Sequence, residues 1–502
     1  MTNNTRQVLL TGVSALLLSL SFHPIQLHFL AWFGLVPLLF AIERSQPFQA
    51  FRTGILFGFL FSLFTLFWIV FLQIETNIKI LIVGGLFLLF LYIGAYFGIS
   101  VLAGRIIGIW SLPLVITGLE YVRGIGELGF PWLTLGYSQA RYPLFIQQAA
   151  VYGVYGVSLW LMFLNVAVYC ALKKRTIKHL FLAGLIFVTP VIYGTVRPHR
   201  SQERTIQIGI VQPNIDPNLK FSRELRYKTF ERLMNLSVQC MRISVDELND
   251  SLDLIIWPET ATPVFLKSPG KYQDLVRHLV DRLGTPILTG TAIYESKTRD
   301  IYNGAVLIEP QRGIEQEYRK IHLVPFGEHI PFDRQIPILR EVDFGEGDYT
   351  PGTTITIFEL SDFKFSCLIC FESIFTGLPR KAVNDGAEVL LNITNDGWFG
   401  KMSGAQQHNN MAILRSVENG VVLLRSANTG ISMVVDQYGR VTVEKPLFVE
   451  ETIVRSLYID PITTPYRRIG DVLPILCLVL GTILIARRFY SERQSKHKFH
   501  TP

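Results

Sequence analysis

GILFGFLFSLFTLFWIVFLQ, from Gly54 to Gln73, carries no charged side chain. A helix of that length crosses the roughly 30 Å hydrocarbon core of a bilayer, where backbone groups are satisfied only within the segment itself. Ile80 to Gly104 and Val151 to Leu172 are likewise uncharged, and their length argues for helix over strand. Leu180 to Val196 and Val472 to Ala486 are shorter, but neighbouring Lys, Arg and Tyr residues can snorkel to the interface. Val8 to Phe22, Phe29 to Ile42 and Ile107 to Leu119 are shorter still and read as tilted, re-entrant or interfacial helices. The first follows Arg6 as a secretory signal would. No small-x-small cleavage site follows Ser21 before His23 and Pro24, so a retained helix is expected.

The whole composition agrees. Of 502 residues 49% are apolar and 17% charged, with a mean hydropathy of +0.32, too little charge for an ordinary soluble protein of this size. The formal charge of +7 does not mark a nucleic-acid-binding front end, because only Arg6, Glu43, Arg44, Arg52, Glu75 and Lys79 are charged in the first hundred residues. Five cysteines exclude a disulfide scaffold and leave at least one free thiol.

Short cytoplasmic loops collect Lys and Arg. Lys173, Lys174, Arg175 and Lys178 fill one connection, and Arg487, Arg488, Arg493, Lys496 and Lys498 crowd the C-terminal tail. Eight crossings with the N-terminus inside put both clusters, Arg44 and Arg52 in the cytoplasm. The expected organisation is a membrane domain of about seven helices over 1–196, an extramembrane domain over 197–471 outside the cytoplasm, a last membrane helix over 472–486 and a basic cytoplasmic tail over 487–502.

The block Arg197 to Asp471 alternates short apolar runs with polar helical stretches and reads as one α/β domain. Thr205–Val211 alternates as a half-buried strand does. Leu252–Trp257, Pro286–Ala292, Ala305–Ile308, Phe363–Cys370, Val389–Ile393, Ile431–Val435 and Val441–Val443 read as further strands, and Tyr227–Leu248 as an amphipathic helix.

Three segments put a reactive side chain at or near the end of an expected strand or in a loop, where functional groups are commonly carried on a rigid scaffold. In Leu254-Ile-Ile-Trp-Pro-Glu-Thr260, Glu259 is a base if desolvated and an ordinary loop carboxylate if not. In Tyr318-Arg-Lys-Ile-His-Leu-Val-Pro-Phe-Gly-Glu328, Lys320 is either an electrostatic clamp for an oxyanion or a surface lysine. In Phe365-Ser-Cys-Leu-Ile-Cys-Phe-Glu-Ser373, Cys367 and Cys370 form a C-x-x-C. No second C-x-x-C or His pair completes a zinc set, and strand geometry puts positions three apart on opposite faces. Cys367 therefore reads as a core residue, and Cys370 as a strand-end thiol, inert or nucleophilic.

Taken together, W-P-E at Trp257–Glu259, Y-R-K-x-H-L-V-P-F-G-E at Tyr318–Glu328 and I-C-F-E at Ile369–Glu372 resemble, in order, the Glu, Lys and Cys motifs of the nitrilase superfamily. The run Asn392-Ile-Thr-Asn-Asp-Gly-Trp-Phe-Gly400 resembles the segment that follows its nucleophile. The resemblance, with the hydropathy, covers nearly the whole chain and points to the membrane-embedded branch, the apolipoprotein N-acyltransferases. Phe371 stands where this branch often has Tyr.

That resemblance implies a nitrilase-like αββα sandwich beside a multi-pass α-helical membrane domain. It implies Glu259 as general base, Lys320 as transition-state stabiliser and Cys370 as nucleophile, with Glu328 and Glu372 in support. It also implies acyl transfer from a phospholipid donor to a diacylated apolipoprotein at the bilayer, in the inner membrane of a bacterium, with the catalytic domain periplasmic. No metal, organic cofactor or nucleic acid is expected, and a monomer is. Asn303 reads as a turn residue before it reads as a supporting one, and Arg415, Glu418 and Arg425 read as structural ion pairs. Phe326, Phe332, Phe344, Trp398 and Phe399 are candidates for a lipid-facing lid, half of them expected to be plain core. The competing readings are a membrane-anchored hydrolase of the same superfamily and a transporter. The second is disfavoured because Gly54–Gln73 and Ile80–Gly104 offer no charged group.

Overall fold

The computed structural model describes residues 3–72, 76–197, 204–216, 223–333, 335 and 349–498. The chain divides into two compact units, Met1–Arg197 with Arg468–Pro502, and Pro198–Arg467.

Among the described residues, five helical segments of the first unit are long and apolar enough to cross a membrane: Pro47–Phe71, Ile82–Ile107, Ala149–Lys174, Ile177–Val196 and Val472–Gln494. They overlap the five longer windows read from the sequence, of which Gln73 lies outside the described residues. Gly54 and Gly58 meet Gly94 and Gly98 across one helix pair. A Cβ on Gly54 would stand 2.6 Å from the Phe97 carbonyl, and one on Gly58 would stand 2.8 Å from Gly94 Cα. Small residues let two backbones touch, which is how helices associate where lipid removes the hydrophobic driving force.

The short windows behave differently. Val8–Phe22 lies largely in the helix Asn3–Ser19. Phe29–Ile42 is not one helix but a 3-10 turn, His28–Trp32, and a helix, Val36–Ile42. Asn165, fully buried in the neighbouring helix, fills the break: its Oδ1 accepts from Leu35 N at 2.8 Å and its Nδ2 donates to the Ala31 carbonyl at 2.8 Å. Such a break is tolerated at membrane depth where a neighbour satisfies the freed backbone groups. Ile107–Leu119 also straddles a break, at Gly108, before the helix Leu112–Arg123. That helix ends with Glu120 and Arg123, both buried.

The second unit is a sandwich of two six-stranded sheets. The first contains β1 (Arg204–Gln212), β2 (Leu254–Ile256), β3 (Ile287–Glu295), β4 (Asp300–Glu309) and β5 (Gly313–Arg319). The second contains β6 (Phe358–Glu359), β7 (Lys364–Ile369), β8 (Val389–Thr394), β9 (Val422–Ala427), β10 (Met433–Val435) and β11 (Val441–Glu444). The chain then returns to the first sheet as β12 (Glu451–Ile459). The strand orders are β12-β1-β2-β3-β4-β5 and β11-β10-β9-β8-β7-β6. Strands β1, β2 and β3 are mutually parallel, as are β7, β8 and β9. All other pairs are antiparallel.

Alternation explains the layers. Ile206, Ile208 and Ile210 of β1 face Phe365, Cys367, Ile369 and Leu391 in the core between the sheets. Val211, Ile255 and Ile287 instead pack on Phe230, Leu233, Val276 and Val280, which belong to helices Arg223–Ile243 and Lys271–Leu283. Helices Gly377–Asn384 and Gly404–Asn419 cover the second sheet. This is the four-layer αββα arrangement of the nitrilase fold.

Candidate active site

Three strands, the buried β2 and β7 and the edge strand β5, each deliver one side chain just past their ends. Glu259 follows β2 after Trp257 and Pro258, with the indole N–H of Trp257 donating to Ser237 Oγ at 2.9 Å and so anchoring the strand end to a helix. Gly290 on β3 lets this loop approach: a Cβ there would stand 2.5 Å from Thr260 N and 2.6 Å from Glu259 Cα. Lys320 follows β5, its amide N–H donating to the Asn303 carbonyl and its own carbonyl accepting from Gly352 N, at 2.8 and 2.7 Å. Cys370 follows β7 and begins the 3-10 turn Cys370–Ile374.

The side chains converge. Lys320 is 1% exposed, and its Nζ lies 2.8 Å from Glu328 Oε1 and 3.4 Å from Glu259 Oε1. Asn303 Nδ2 donates to both of those oxygens at 2.8 Å. The second oxygen of Glu259 accepts from Asn395 N at 2.8 Å, and Glu328 Oε2 accepts from Val324 N at 2.8 Å. Burial alone would lower the Lys320 pKa, but Glu328 and Glu259 raise it well above the ordinary lysine value, so this cation is permanent. Burial and the Glu259 charge push the Cys370 thiol up, against the opposing pull of Lys320. Cys370 thus senses both Glu259 and Lys320, and burial with the Glu259 charge favours its protonated form.

Glu328 thus touches Lys320 directly. Glu372 does not; it fixes the backbone around it. Its Oε1 accepts from Tyr318 Oη and Ile321 N at 2.7 Å and from His322 N at 3.1 Å, while its Oε2 accepts from Ile369 N at 2.7 Å. One fully buried carboxylate therefore ties the Lys320 loop to the Cys370 turn. Burial raises its pKa. Glu372→Gln sets an amide N–H against backbone donors and is expected to destabilise the domain by about 1–3 kcal/mol, read as a fall in the thermal unfolding midpoint. An unchanged midpoint would contradict this role.

Asn303 is a correction to the sequence reading. It is no turn residue but a buried member of β4, whose polar first half hid the strand. Cys367, 1% exposed, lies in the inter-sheet core, whereas Cys370 is half-buried and both are free thiols. Arg415 and Glu418 form a buried ion pair at 3.1 Å. Arg425 pairs instead with Asp396, at 2.7 Å, beside Cys370. Phe326, Phe332, Trp398 and Phe399 are exposed or half-buried, so none of the four is core, and Phe344 lies outside the described residues.

Sequence reasoning passed over His408. Donor atoms of Cys370, Asp396 and His408 lie within 4.8 Å of one another, as metal ligands can. Arg425 Nη2 already lies 2.7 Å from Asp396 Oδ2 and 3.0 Å from His408 Nδ1, so the counter-cation of this cluster is a guanidinium. Asp396 is visible only as part of the Asn392–Gly400 run, and His408 has no signal of its own, although the helix it shares with Arg415 and Glu418 does.

Residues 207–463 match the family model for carbon-nitrogen hydrolases, which sets the class of the sandwich and its Glu-Lys-Cys cluster. Residues 14–167 match the model for the apolipoprotein N-acyltransferase N-terminal domain. The apolipoprotein N-acyltransferase of Geobacter metallireducens is 32% identical over 98% of this chain and 96% of its own. That of Chlorobaculum tepidum is 32% identical over 94% of each. Among solved structures, Nit3 of Saccharomyces cerevisiae matches with a TM-score of 0.40 and 18% identity, over 52% of this chain and 92% of its own. The chain belongs to the apolipoprotein N-acyltransferase family, and is an enzyme of the acyltransferase class.

Proposed function

We propose that the protein moves a fatty acyl chain from a phospholipid to the N-terminal α-amine of an S-diacylglyceryl-cysteine in an apolipoprotein, by way of a thioester on Cys370. The observation that carries this reading is a thiol flanked by Glu259 and a permanently charged Lys320, in a chain similar to apolipoprotein N-acyltransferases over nearly its whole length.

Glu259 takes the thiol proton as Sγ attacks the ester carbonyl, and Lys320 with the backbone N–H of Phe371 stabilises the oxyanion. As the carbon–oxygen bond breaks, Glu259 returns the proton to the departing lysophospholipid oxygen. The α-amine then attacks the thioester and loses a proton to Glu259. The amide leaves, and the thiolate regains that proton. A thioester is opened readily by an amine, so one difficult amide synthesis becomes two easier steps with ping-pong kinetics. Glu328 holds Lys320 and Glu372 holds the loops around it.

Both substrates are lipid-anchored. A catalytic domain joined at each end to membrane helices reduces their encounter to two dimensions. The basic connections at Lys173–Lys178 and Arg487–Lys498 support a cytoplasmic location for those segments and hence a periplasmic catalytic domain in a bacterial inner membrane. The enzyme acts as a monomer in this reading.

Purified enzyme incubated with phospholipid labelled in its acyl chain should gain the mass of one acyl group on Cys370, and a diacylated lipopeptide should remove it as an N-acyl product. Loss of the adduct to water at the same rate without peptide would identify a hydrolase instead. Cys367→Ala should keep most of the transfer activity, since its sulfur packs in the core; a lost adduct in that variant would mean the wrong sulfur has been chosen.

A further inference from the structure

Cys370 has φ of +50°, in the left-handed region that side chains with a Cβ enter at a cost. Such strain persists only where the surroundings over-determine it. Three side chains converge on the Cys370 carbonyl oxygen: Ser373 Oγ at 3.0 Å, His408 Nε2 at 3.0 Å and Asn392 Nδ2 at 3.4 Å.

The acceptor fixes one hydrogen. A carbonyl only accepts, so His408 Nε2 carries the ring proton. The other nitrogen, Nδ1, lies 3.0 Å from Arg425 Nη2. Arg425 Nη2 has two hydrogens, one directed to Asp396 Oδ2 at 2.7 Å and the other left for Nδ1. Asp396 Oδ1 also lies 3.0 Å from Nδ1 and accepts from Thr394 Oγ1 at 2.9 Å, so Asp396 and Arg425 together hold the Nδ1 side of the ring. Burial and the Arg425 charge both lower the His408 pKa, consistent with a neutral ring. Arg425 Nη1 donates to Asn392 Oδ1, and Asn392 Nδ2 reaches the Leu368 carbonyl at 3.1 Å as well as that of Cys370. Two arms from one buried guanidinium thus close on one carbonyl.

We propose that His408 and Arg425 are positioning residues for the nucleophile: Arg425 and Asp396 hold the Nδ1 side of His408, and its Nε2–H holds the Cys370 carbonyl so that Sγ and the next amide face the reacting carbon. His408 moves no proton in this role. The inference rests on Cys370 as the nucleophile, not on which acyl donor it takes.

The test compares full-length wild type with His408→Gln, His408→Asn and His408→Ala. A glutamine amide reaches the place of Nε2; an asparagine amide falls short. Two rates are followed: thioester formation from labelled phospholipid, and Cys370 alkylation by iodoacetamide across pH, which needs no lipid donor. His408→Ala should form thioester about 100-fold more slowly, the order of loss expected of a small misplacement, with KM for phospholipid changed less than about threefold. His408→Gln should stay within about tenfold of wild type. The alkylation profiles of wild type and His408→Gln should coincide, while those of Asn and Ala shift to lower pH as the thiol leaves the neighbourhood of Glu259. If Ala fails to fold, the Gln and Asn comparison carries the test. Coincident profiles in every folded variant, or a Gln variant as slow as Asn, overturn the proposal. Absence of any thioester in wild type counts against the acyl-donor reading alone, and the alkylation profiles still decide the positioning role.

Discussion

Cys370→Ala is expected to abolish covalent acylation and to lower acyl transfer by about 10⁴-fold or more, because no other group can carry the acyl chain between two substrates. The loss should be chemical and not structural. The side chain is half-buried at a turn, packed only against the edge of the core between the sheets, and alanine meets the same backbone strain as cysteine. The unfolding midpoint should therefore move little. Intact-mass measurement after incubation with labelled phospholipid reads the adduct directly. An acyl group still bound to the alanine variant would place the nucleophile elsewhere.

Lys320→Met carries the second large effect, and it is double. Removal of one fixed donor for a developing oxyanion costs about 10²–10³ in rate, and acylation in a single turnover should show at least that. The substitution also leaves Glu259 and Glu328 together in a buried site without their shared ammonium, 3.4 and 2.8 Å away in the native protein. Breaking a buried pair by removing one partner costs about 3–5 kcal/mol. The sign of the pH dependence follows from the raised Lys320 pKa. A lysine held above its unfolded value contributes its full stabilisation below that value and loses it only as pH rises through the folded one. From about pH 6 to pH 9, below the ordinary lysine range, the Lys320 contribution should stay flat. A native unfolding midpoint that falls steeply between those values would need another titrating group as its cause, and a methionine variant as stable as wild type would remove Lys320 from the ion cluster.

The long apolar windows are legible because composition decides them. An uncharged run such as Gly54–Gln73 has few alternatives. The break at Gly34–Leu35 is not legible, since it depends on Asn165, 130 positions away. Strands β1, β3, β7 and β8 show as alternating or continuous apolar runs. Strand β5, Gly-Ile-Glu-Gln-Glu-Tyr-Arg, does not, because an edge strand with few buried residues needs no apolar pattern. Glu259 and Cys370 announce themselves by following legible strand ends, whereas Lys320 is legible only through the resemblance of Tyr318–Glu328 to a family motif. Their supports show in neither way. Asn303 acts through a strand whose beginning is polar, and His408 acts on a backbone atom 38 residues earlier, a contact no local spacing encodes.

The pairing of β1 with β12 runs without interruption from Arg204 opposite Ile459 to Gln212 opposite Glu451. Directly opposed residues in such a ladder are only about 5 Å apart. To the helices that precede and follow it, the entire sandwich is therefore a loop with its two stems already brought together, and its length adds almost nothing to the entropy of closing that loop.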